Sequence, residues 1–341
     1  MTGFRQGQRG VALIIVLIAF ALGSILAAGM MTRQNIMIQR ATGYLGQSDA
    51  QTLAMGAEAF GRQILHRDSQ QGQEQSQTQG EGQGDAGNSD PDHRNEQWAR
   101  AAVALPVERG AIEAQINDLQ GELNLNSLVL ANGEINQLSR ERFERLLIAL
   151  DIRTLNVETL IDWIDTDDQR TGGAGAEDGD YRIMDPPYRA ADRPFVDVTE
   201  LRLMRGMTDE AYQKLRPHVS ALPTRKATTN VNFATAAVIR SLHSRISPGQ
   251  AEAVVAAAEE TAFETLDDFL ARQEFAGLDI SQRGLGVTTS YFEIAARVTV
   301  GDSVHRLVSL VQRTQDGDVI TLSRDSGRSG LITKERAQPP R

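Results

Sequence analysis

Apolar positions follow several different patterns along the chain, and the first of these is an unbroken run. Between Val11 and Met31 no charged residue interrupts a segment of mostly aliphatic side chains. At about 1.5 Å per residue, a helix of this length covers the roughly 30 Å hydrocarbon core of a bilayer. The pattern predicts a single membrane-spanning helix over residues 11–31.

Beyond the membrane segment, apolar side chains recur at helical spacing. Between Leu53 and Ile64 they return every three or four residues, which is the period of one face of an α-helix. We therefore expect one long helix over residues 11–67, embedded in lipid first and amphipathic later. Two helices with a break near Gly43 or Gly46 are the alternative.

A segment with almost no apolar side chains follows. Residues 68–97 consist mainly of Gln, Gly, Ser, Glu and Asp. Such a composition buries too little apolar surface to offset the conformational entropy lost on ordering. We expect a disordered loop over residues 68–97 and a solvated His93 within it.

Alternating apolar and polar positions, the pattern of half-buried strands, lie on both sides of the next long segment. The alternating stretches are 107–118, 291–300, 304–311 and 319–322, with turns at Gly301-Asp302 and Asp316-Gly317. We expect one antiparallel sheet, to which residues 98–118 and 286–325 contribute. Residues 326–341 are expected to form a flexible tail.

The segment between these strands, residues 119–285, has mostly helical patterns and repeats itself. Its halves, about 119–222 and 223–285, each contain an Asn-x-Asn turn, a helix with one apolar face and a short acidic-aromatic helix. Because asparagine is favoured at turns and helix N-termini, we interpret Asn126 and Asn232 as structural. The expected fold class is α+β, with a large all-helical insertion in a small sheet.

Charge and composition narrow the functional classes. The formal net charge is −10, whereas nucleic-acid-binding proteins usually present a basic face. The chain has no cysteine, which excludes disulfides, thiolate metal sites and a cysteine nucleophile. Arg5 and Arg9 precede the apolar run, so the positive-inside tendency predicts a cytoplasmic N-terminus. The bulk of the chain would then face the periplasm of a two-membrane bacterium, or the outside. Arg33 and Arg40 on the far side weaken this orientation.

Carboxylates are concentrated between Asp162 and Asp180. Calcium takes six to eight oxygen ligands, which clustered carboxylates on a flexible loop commonly supply. The spacing is not that of an EF-hand, because no glutamate closes a twelve-residue loop. A solvated acidic turn and a calcium site both fit these residues. The candidate calcium ligands are Asp165, Asp167, Glu177, Asp178 and Asp180.

The boundary between the basic leader and the apolar run suggests processing. Arg9-Gly10-Val11 resembles the site at which type IV prepilins are cut after glycine, leaving the apolar helix in the mature protein. Val11 stands where the usual residue is phenylalanine, and Ile15 where mature pilins carry glutamate. A secretory signal peptide cut near Ala28 is the alternative, although the apolar run is longer than a typical signal core.

Further motifs extend the resemblance from about Gly10 to Arg313, outside the low-complexity loop. They are Asp118-Leu119-Gln120-Gly121, Leu160-Ile161-Asp162-Trp163-Ile164-Asp165, Asp185-Pro186-Pro187-Tyr188-Arg189 and Asp197-Val198-Thr199-Glu200-Leu201. In this order, and with Ile15, they resemble the K-type minor pseudopilin family of type II secretion, the general secretion pathway protein K family.

The resemblance implies a pseudopilin fold, in which a long N-terminal helix packs on an antiparallel sheet, with an insertion of two SAM-like or helix-hairpin-helix-like repeats. It further implies cleavage between Gly10 and Val11 by prepilin peptidase, methylation of the new amine and structural calcium near the acidic loop. The implied location is the inner membrane. The implied partners are the I- and J-type minor pseudopilins in a tip complex, and the major pseudopilin.

The missing glutamate has a physical interpretation. In a filament of packed apolar helices, the family's glutamate is understood to pair with the free amine of the subunit above. A carboxylate without that partner costs about 2.5–3.5 kcal/mol near the bilayer centre. Ile15 therefore indicates a subunit with nothing above it, at the tip of the filament.

Three other classes compete with this structural role. An enzyme is not expected, because the five histidines are scattered and no nucleophile elbow is present. A helix-hairpin-helix nucleic-acid-binding protein is opposed by the acidic loop, which repels phosphate. A minor pilin of a type IV pilus or DNA-uptake apparatus shares the leader and the helix, but Ile15 and the large insertion favour the secretion system.

Overall fold

In a computed structural model, the structure describes residues 9–78, 90–100 and 103–327. Most of the predicted leader, the middle of the predicted loop (79–89) and most of the predicted tail (328–341) lie outside the described residues. Two structural parts are present: a long helix on a five-stranded sheet, and a helical insertion. Counted across the sheet, the insertion connects the second strand to the third.

Helix α1 runs from Arg9 to Thr78 without a break at either candidate glycine. The predicted disorder is wrong for residues 68–78, which are helical, and for residues 90–97, which are ordered. Tertiary contacts supply the stabilising free energy that this polar segment cannot gain by burying apolar side chains of its own. Ser69 Oγ donates to the Gly317 carbonyl at 3.2 Å, and the Asp68 carboxylate pairs with Arg313 at 3.1 Å. These contacts hold the end of α1 against the sheet.

The sheet consists of β1 (Val103–Val107), β2 (Gly110–Asp118), β7 (Tyr291–Val300), β8 (Ser303–Arg313) and β9 (Val319–Asp325), while β3 to β6 lie in the insertion. Its order is β1-β2-β7-β8-β9, and its neighbouring strands are antiparallel. The predicted single strand over 107–118 is instead a hairpin, because the chain turns at Glu108-Arg109. The central strand is β7, and it pairs with β2, so strands from either side of the insertion lie next to each other.

The insertion contains seven short α-helices within a shared apolar core, and two small parallel ribbons. Ribbon β3–β4 joins Leu123–Asn124 to Val219–Ser220, and ribbon β5–β6 joins Thr229–Asn230 to Leu285–Gly286. Each ribbon brings together the two ends of one half of the insertion. The helices α2 to α8 are Gln137–Ala149, Val157–Asp162, Asp178–Tyr181, Asp209–Leu215, Ala236–Leu242, Pro248–Glu260 and Leu266–Leu270.

The two Asn-x-Asn turns have equivalent structural roles. Asn126 accepts from the Phe195 amide at 2.7 Å and donates to the Phe195 carbonyl at 2.9 Å. Asn232 makes the same pair of bonds to Phe263, at 2.9 and 3.1 Å. Each asparagine therefore ties the opening of its half to a distant loop. Both side chains are buried, as expected for groups whose hydrogen bonds are satisfied.

Candidate metal centre

The acidic loop begins where helix α3 ends. Asp162 is the last residue of α3, and its side chain is completely buried because the helix packs its apolar face into the insertion core. The loop returns through a glycine-rich stretch to α4, which begins at Asp178. Trp163 and Tyr181 anchor the two ends of the loop, with ring centroids 5.2 Å apart in an edge-to-face arrangement.

Four buried carboxylate oxygens in this loop have no hydrogen-bond partner. They are Asp162 Oδ2, Asp165 Oδ1 and both oxygens of Glu177. Buried polar atoms are normally paired, so each orphaned oxygen needs an explanation. Gly175 makes room for one of them, because a Cβ at this position would lie 2.1 Å from Asp162 Oδ2. The backbone is thus shaped around the carboxylate.

The pKa values of these carboxyl groups are raised. Burial raises the pKa of Glu177 to about 8, and the nearby carboxylates Asp162, Asp165, Asp192 and Asp167 add to the rise. Burial raises the pKa of Asp165 to about 7, again with help from Asp162, Asp167 and Asp192. Several negative charges therefore face one another without an adequate counter-charge.

Two of the five predicted ligands have counter-charges of their own. Asp180 is bridged by Arg205 at 2.9 Å and by Arg170 at 2.7 Å, and Asp178 pairs with Arg182. These ion pairs use the carboxylate oxygens that a metal would need. Asp162 and Asp192, together with the predicted residue Asp167, are instead the carboxylates whose charges raise the pKa values of Asp165 and Glu177.

Sequence reasoning missed Asp162 and Asp192 as members of the group. Asp162 falls on a helical apolar pattern, where a buried carboxylate has no local signal. Asp192 has a left-handed backbone with φ of 48°, a conformation that aspartate tolerates better than most residues. Asp192 is far from Asp165 along the chain, so no local pattern indicates that its charge acts on that residue.

A second carboxylate group lies at the junction of α1, the connector 90–100 and the sheet. One oxygen each from Asp68, Asp92 and Glu96 lie within 4.8 Å of one another. Here the guanidinium of Arg313 supplies the positive charge that a metal ion would otherwise supply. It donates to Asp92 Oδ1 at 2.6 Å and pairs with Asp68. A polar cavity of about 390 Å³ lies beside the group. Among the described residues, this is the group whose oxygens converge as metal ligands do. Because Arg313 already compensates part of its charge, we keep the acidic loop, whose orphaned oxygens have no such partner, as the metal candidate.

The N-terminal half of α1 presents apolar side chains to the surroundings. Within the described residues, one helix is long and apolar enough to cross a membrane, and its apolar window is wholly exposed in the isolated chain. Ile15 is 60 % exposed and lies in this window. Gly10 and Val11, the predicted processing site, lie in the first turn of α1.

Comparison with known proteins places these features in a family. A type II secretion system protein K from Pseudomonas aeruginosa is 36 % identical over 332 residues, covering 96 % of this chain and 95 % of that protein. The chain belongs to the type II secretion system protein K family. A protein K from Aeromonas hydrophila is 29 % identical and covers 95 % of this chain and 98 % of its own. The family model for type II secretion system protein K matches residues 121–224 and 229–288.

A solved structure shares the fold. A chain in the GspK-GspI-GspJ complex from the enterotoxigenic Escherichia coli type 2 secretion system superposes with a TM-score of 0.70. The match covers 85 % of this chain and all of that chain, at 23 % identity. The protein K resemblance and the α+β architecture with a long apolar helix are confirmed. The comparisons favour the secretion-system function over the type IV pilus and nucleic-acid alternatives.

Proposed function

We propose that this protein K is a structural minor pseudopilin that sits at the tip of the pseudopilus, where it starts or caps filament assembly. The filament serves the export of folded proteins from the periplasm across the outer membrane. The proposal rests on Ile15, an exposed apolar side chain in the membrane-spanning part of α1, at the position where pilins carry glutamate. A tip subunit has no neighbour above it to pair with a carboxylate.

The partners of this role are the I- and J-type minor pseudopilins, together with the major pseudopilin. The similarity to a chain of the GspK-GspI-GspJ complex supports a tip complex of this composition. The size of the head, the part of the chain beyond the membrane-spanning segment, gives a further reason for a position at the tip. The insertion between β2 and β7 widens the subunit beyond the helix and sheet that other pseudopilins are expected to present. Width is not restricted at a filament end.

The membrane arrangement follows from the same role. We expect α1 to span the inner membrane once, with the N-terminus cytoplasmic and the head periplasmic. Prepilin peptidase would cut between Gly10 and Val11 and methylate the new amine. Mass spectrometry of the mature N-terminus tests this: a methylated Val11 is expected, and a start near Ala28 would contradict it. The two halves of the insertion are expected to be SAM-like packing units without catalytic activity.

Ile15→Glu tests the tip position in cells that carry the whole secretion system. The unpaired carboxylate should lower the amount of inserted protein and the secretion yield, since it costs about 2.5–3.5 kcal/mol near the bilayer centre. Ile18→Glu, a control in the same apolar window, should cost about as much. Label on protein K should remain at filament ends in both variants. Incorporation of Ile15→Glu along the shaft, but not of Ile18→Glu, would refute the tip assignment.

We also propose that the acidic loop binds structural calcium. The orphaned oxygens of Asp162, Asp165 and Glu177 would supply ligands, with Asp167 and Asp192 nearby. A hard cation accepts clustered carboxylates and would offset their mutual repulsion. The ion would fix the long connection between α3 and the following helices, since it joins residues from both sides of the loop.

Calcium titration of the purified full chain tests this proposal. Calcium at about 100 times its Kd should stabilise the fold by about 2.7 kcal/mol, seen as a rise in Tm that a chelator reverses. Glu177→Gln should remove most of the rise. Asp178→Asn, whose carboxylate pairs with Arg182, should retain it. An equal rise in wild type and Glu177→Gln would exclude Glu177 from the site.

A further inference from the structure

The contact between α1 and the sheet is formed largely by small side chains. Ala50, Ala54 and Ala57 are buried against the strands, and a Cβ at Gly61 would lie 3.1 Å from Ile294. Such residues let a helix and a sheet approach closely. They interlock less than large side chains do, so the apolar contact between Ala50 and Gly61 leaves rotation and sliding of α1 weakly fixed there. The larger Leu65, also buried against the sheet, follows one turn later.

Glu58 lies in this contact and is 2 % exposed. Its carboxylate accepts hydrogen bonds from two adjacent strands. The donors are Ser309 Oγ at 2.8 Å, Thr321 Oγ1 at 2.7 Å, and Arg324 through Nε at 2.6 Å and Nη2 at 2.9 Å. The pair with Arg324 is therefore bidentate, which gives directional as well as electrostatic specificity. Arg62, one turn along α1, lies 3.7 Å away.

The geometry of β9 is adapted to this carboxylate. Thr321 and Arg324 are three residues apart, so a regular strand would turn them to opposite faces of the sheet. A register shift pairs Leu310 with Ser323 but its neighbour Val311 with Thr321, which leaves one extra residue in β9. This bulge brings both Thr321 and Arg324 to Glu58. Bulges commonly re-aim a side chain in this way.

We propose that Glu58 is a positioning residue: it fixes the rotation and axial position of α1 on the sheet, and so determines which side chains α1 presents to neighbouring pseudopilin helices. This inference rests on the proposed tip complex. The presented side chains in the head region of α1 are Tyr44, Leu45, Met55 and Phe60, whose exposed fractions are 76, 59, 48 and 56 %.

Other helix positions are disfavoured because they separate Glu58 from Arg324. A shift of α1 by one residue rotates its face by about 100° and would leave a buried carboxylate without its cation. A second polar contact, Asp68 with Arg313 at 3.1 Å, lies ten residues further along α1. Two anchors about 15 Å apart along the axis also define the tilt of the helix. A single polar residue in an apolar contact sets helix register in coiled coils by the same principle.

The experiment uses the full chain in lipid nanodiscs. Because the chain has no cysteine, spin labels can be placed on introduced cysteines at Thr52 of α1 and Arg306 of β8, both exposed. Distances between the labels are compared in wild type, Glu58→Gln and Arg324→Gln. Affinity for the I- and J-type pseudopilins is measured on the same proteins without labels.

The matched control is Glu113→Gln. Glu113 also pairs with an arginine, Arg297, but β2 turns it away from the α1-facing side chains Ile112 and Ala114. We expect Glu58→Gln and Arg324→Gln to shift or broaden the distance and to weaken partner binding at least about tenfold. Glu113→Gln should change neither quantity.

Each contrary outcome has a separate meaning. Unchanged distances and affinity in folded Glu58→Gln would overturn the inference, as would altered distances with unchanged affinity. Should Glu58→Gln not fold, Arg324→Gln decides, since the Arg324 side chain is half exposed and lies at a sheet edge. If wild type itself does not bind the two partners, the proposed tip complex fails instead.

Discussion

At the scale of single residues, this protein uses glycine and asparagine to accommodate buried polar groups. Gly175 leaves space for the Asp162 carboxylate, and Asn126 and Asn232 pair with backbone groups of Phe195 and Phe263. Each asparagine satisfies backbone groups 31 or more residues away, and the absence of a side chain at Gly175 leaves room for the carboxylate. Small changes at these positions should therefore have effects larger than those of surface substitutions.

Gly175→Ala should weaken calcium binding. The added Cβ would overlap Asp162 Oδ2 and displace it from the other carboxylates. We expect the calcium Kd, measured by isothermal titration, to rise at least about tenfold, which corresponds to about 1.4 kcal/mol. Gly173→Ala is the control, since a Cβ there meets no atom within 4 Å. Equal Kd values in the two variants would contradict this account of Gly175.

Asn126→Ala should destabilise the first half of the insertion. It removes three buried hydrogen bonds and leaves groups of Phe195 and Leu222 without their partner. Because each unsatisfied buried group costs about 1–3 kcal/mol, a loss of at least about 2 kcal/mol is expected. Denaturant unfolding followed by tryptophan fluorescence measures this loss. The exposed Asn132→Ala should stay within about 0.5 kcal/mol of wild type.

At the scale of elements, α1 depends on different partners at its two ends. The N-terminal half is exposed in the isolated chain and apolar, so lipid or neighbouring helices must cover it. The C-terminal half is held by the sheet through Glu58 and, ten residues later, through Asp68. The helix therefore continues to Thr78 through a sequence whose composition alone predicts disorder.

Stability at acid pH should depend on Glu58. Burial raises the pKa of this carboxyl, but hydrogen bonds from Arg324, Thr321 and Ser309 outweigh that effect, so the folded pKa lies below the ordinary value of 4.5. The ionised group therefore stabilises the fold above about pH 4.5, and this contribution is lost as the pH falls through the folded pKa. Tm measured between pH 6 and pH 3 should fall more steeply in wild type than in Glu58→Gln. Parallel curves would contradict the assignment.

At the scale of the whole molecule, the connector 90–100 joins α1, the sheet and the second half of the insertion. The Asp92 carbonyl accepts from Asn230 at 3.1 Å, and its carboxylate accepts from Arg313. Arg94 donates to the Phe233 carbonyl at 2.7 Å. The helix and sheet on one side and the insertion on the other are thus coupled through a short segment. The charge state of that segment affects both parts.

Alkaline pH should weaken this coupling through Glu96. Burial, with the neighbouring carboxylates Asp92 and Asp68, raises the pKa of Glu96 to about 9. The folded state therefore keeps a proton that the unfolded chain releases above about pH 4.5, so stability falls as the pH rises from about 5 to 9. At saturating calcium, Glu96→Gln should flatten the decline of Tm between pH 6 and pH 9. The exposed Glu141→Gln should leave the slope unchanged.

Local sequence patterns are enough to predict several elements of this fold. The apolar run of α1, the alternation of β2, β7 and β8, and the repeated Asn-x-Asn turns were all predictable, because period and turn chemistry act over a few residues. Composition also predicted an acidic loop with clustered carboxylates. The identity of Ile15, compared with the pilin pattern, leads to the prediction of a tip subunit.

The pairing of the carboxylates and the order at the end of α1 depend on groups distant in the chain, so only the tertiary structure shows them. Arg170, Arg182 and Arg205 compensate Asp178 and Asp180, whereas the charges of Asp162 and Asp192 raise the pKa of Glu177. The C-terminal turns of α1 are ordered by Arg313 and Gly317, more than 200 residues away. Local composition cannot report such contacts, because the free energy that orders a polar segment or pairs a carboxylate comes from residues that only folding brings near.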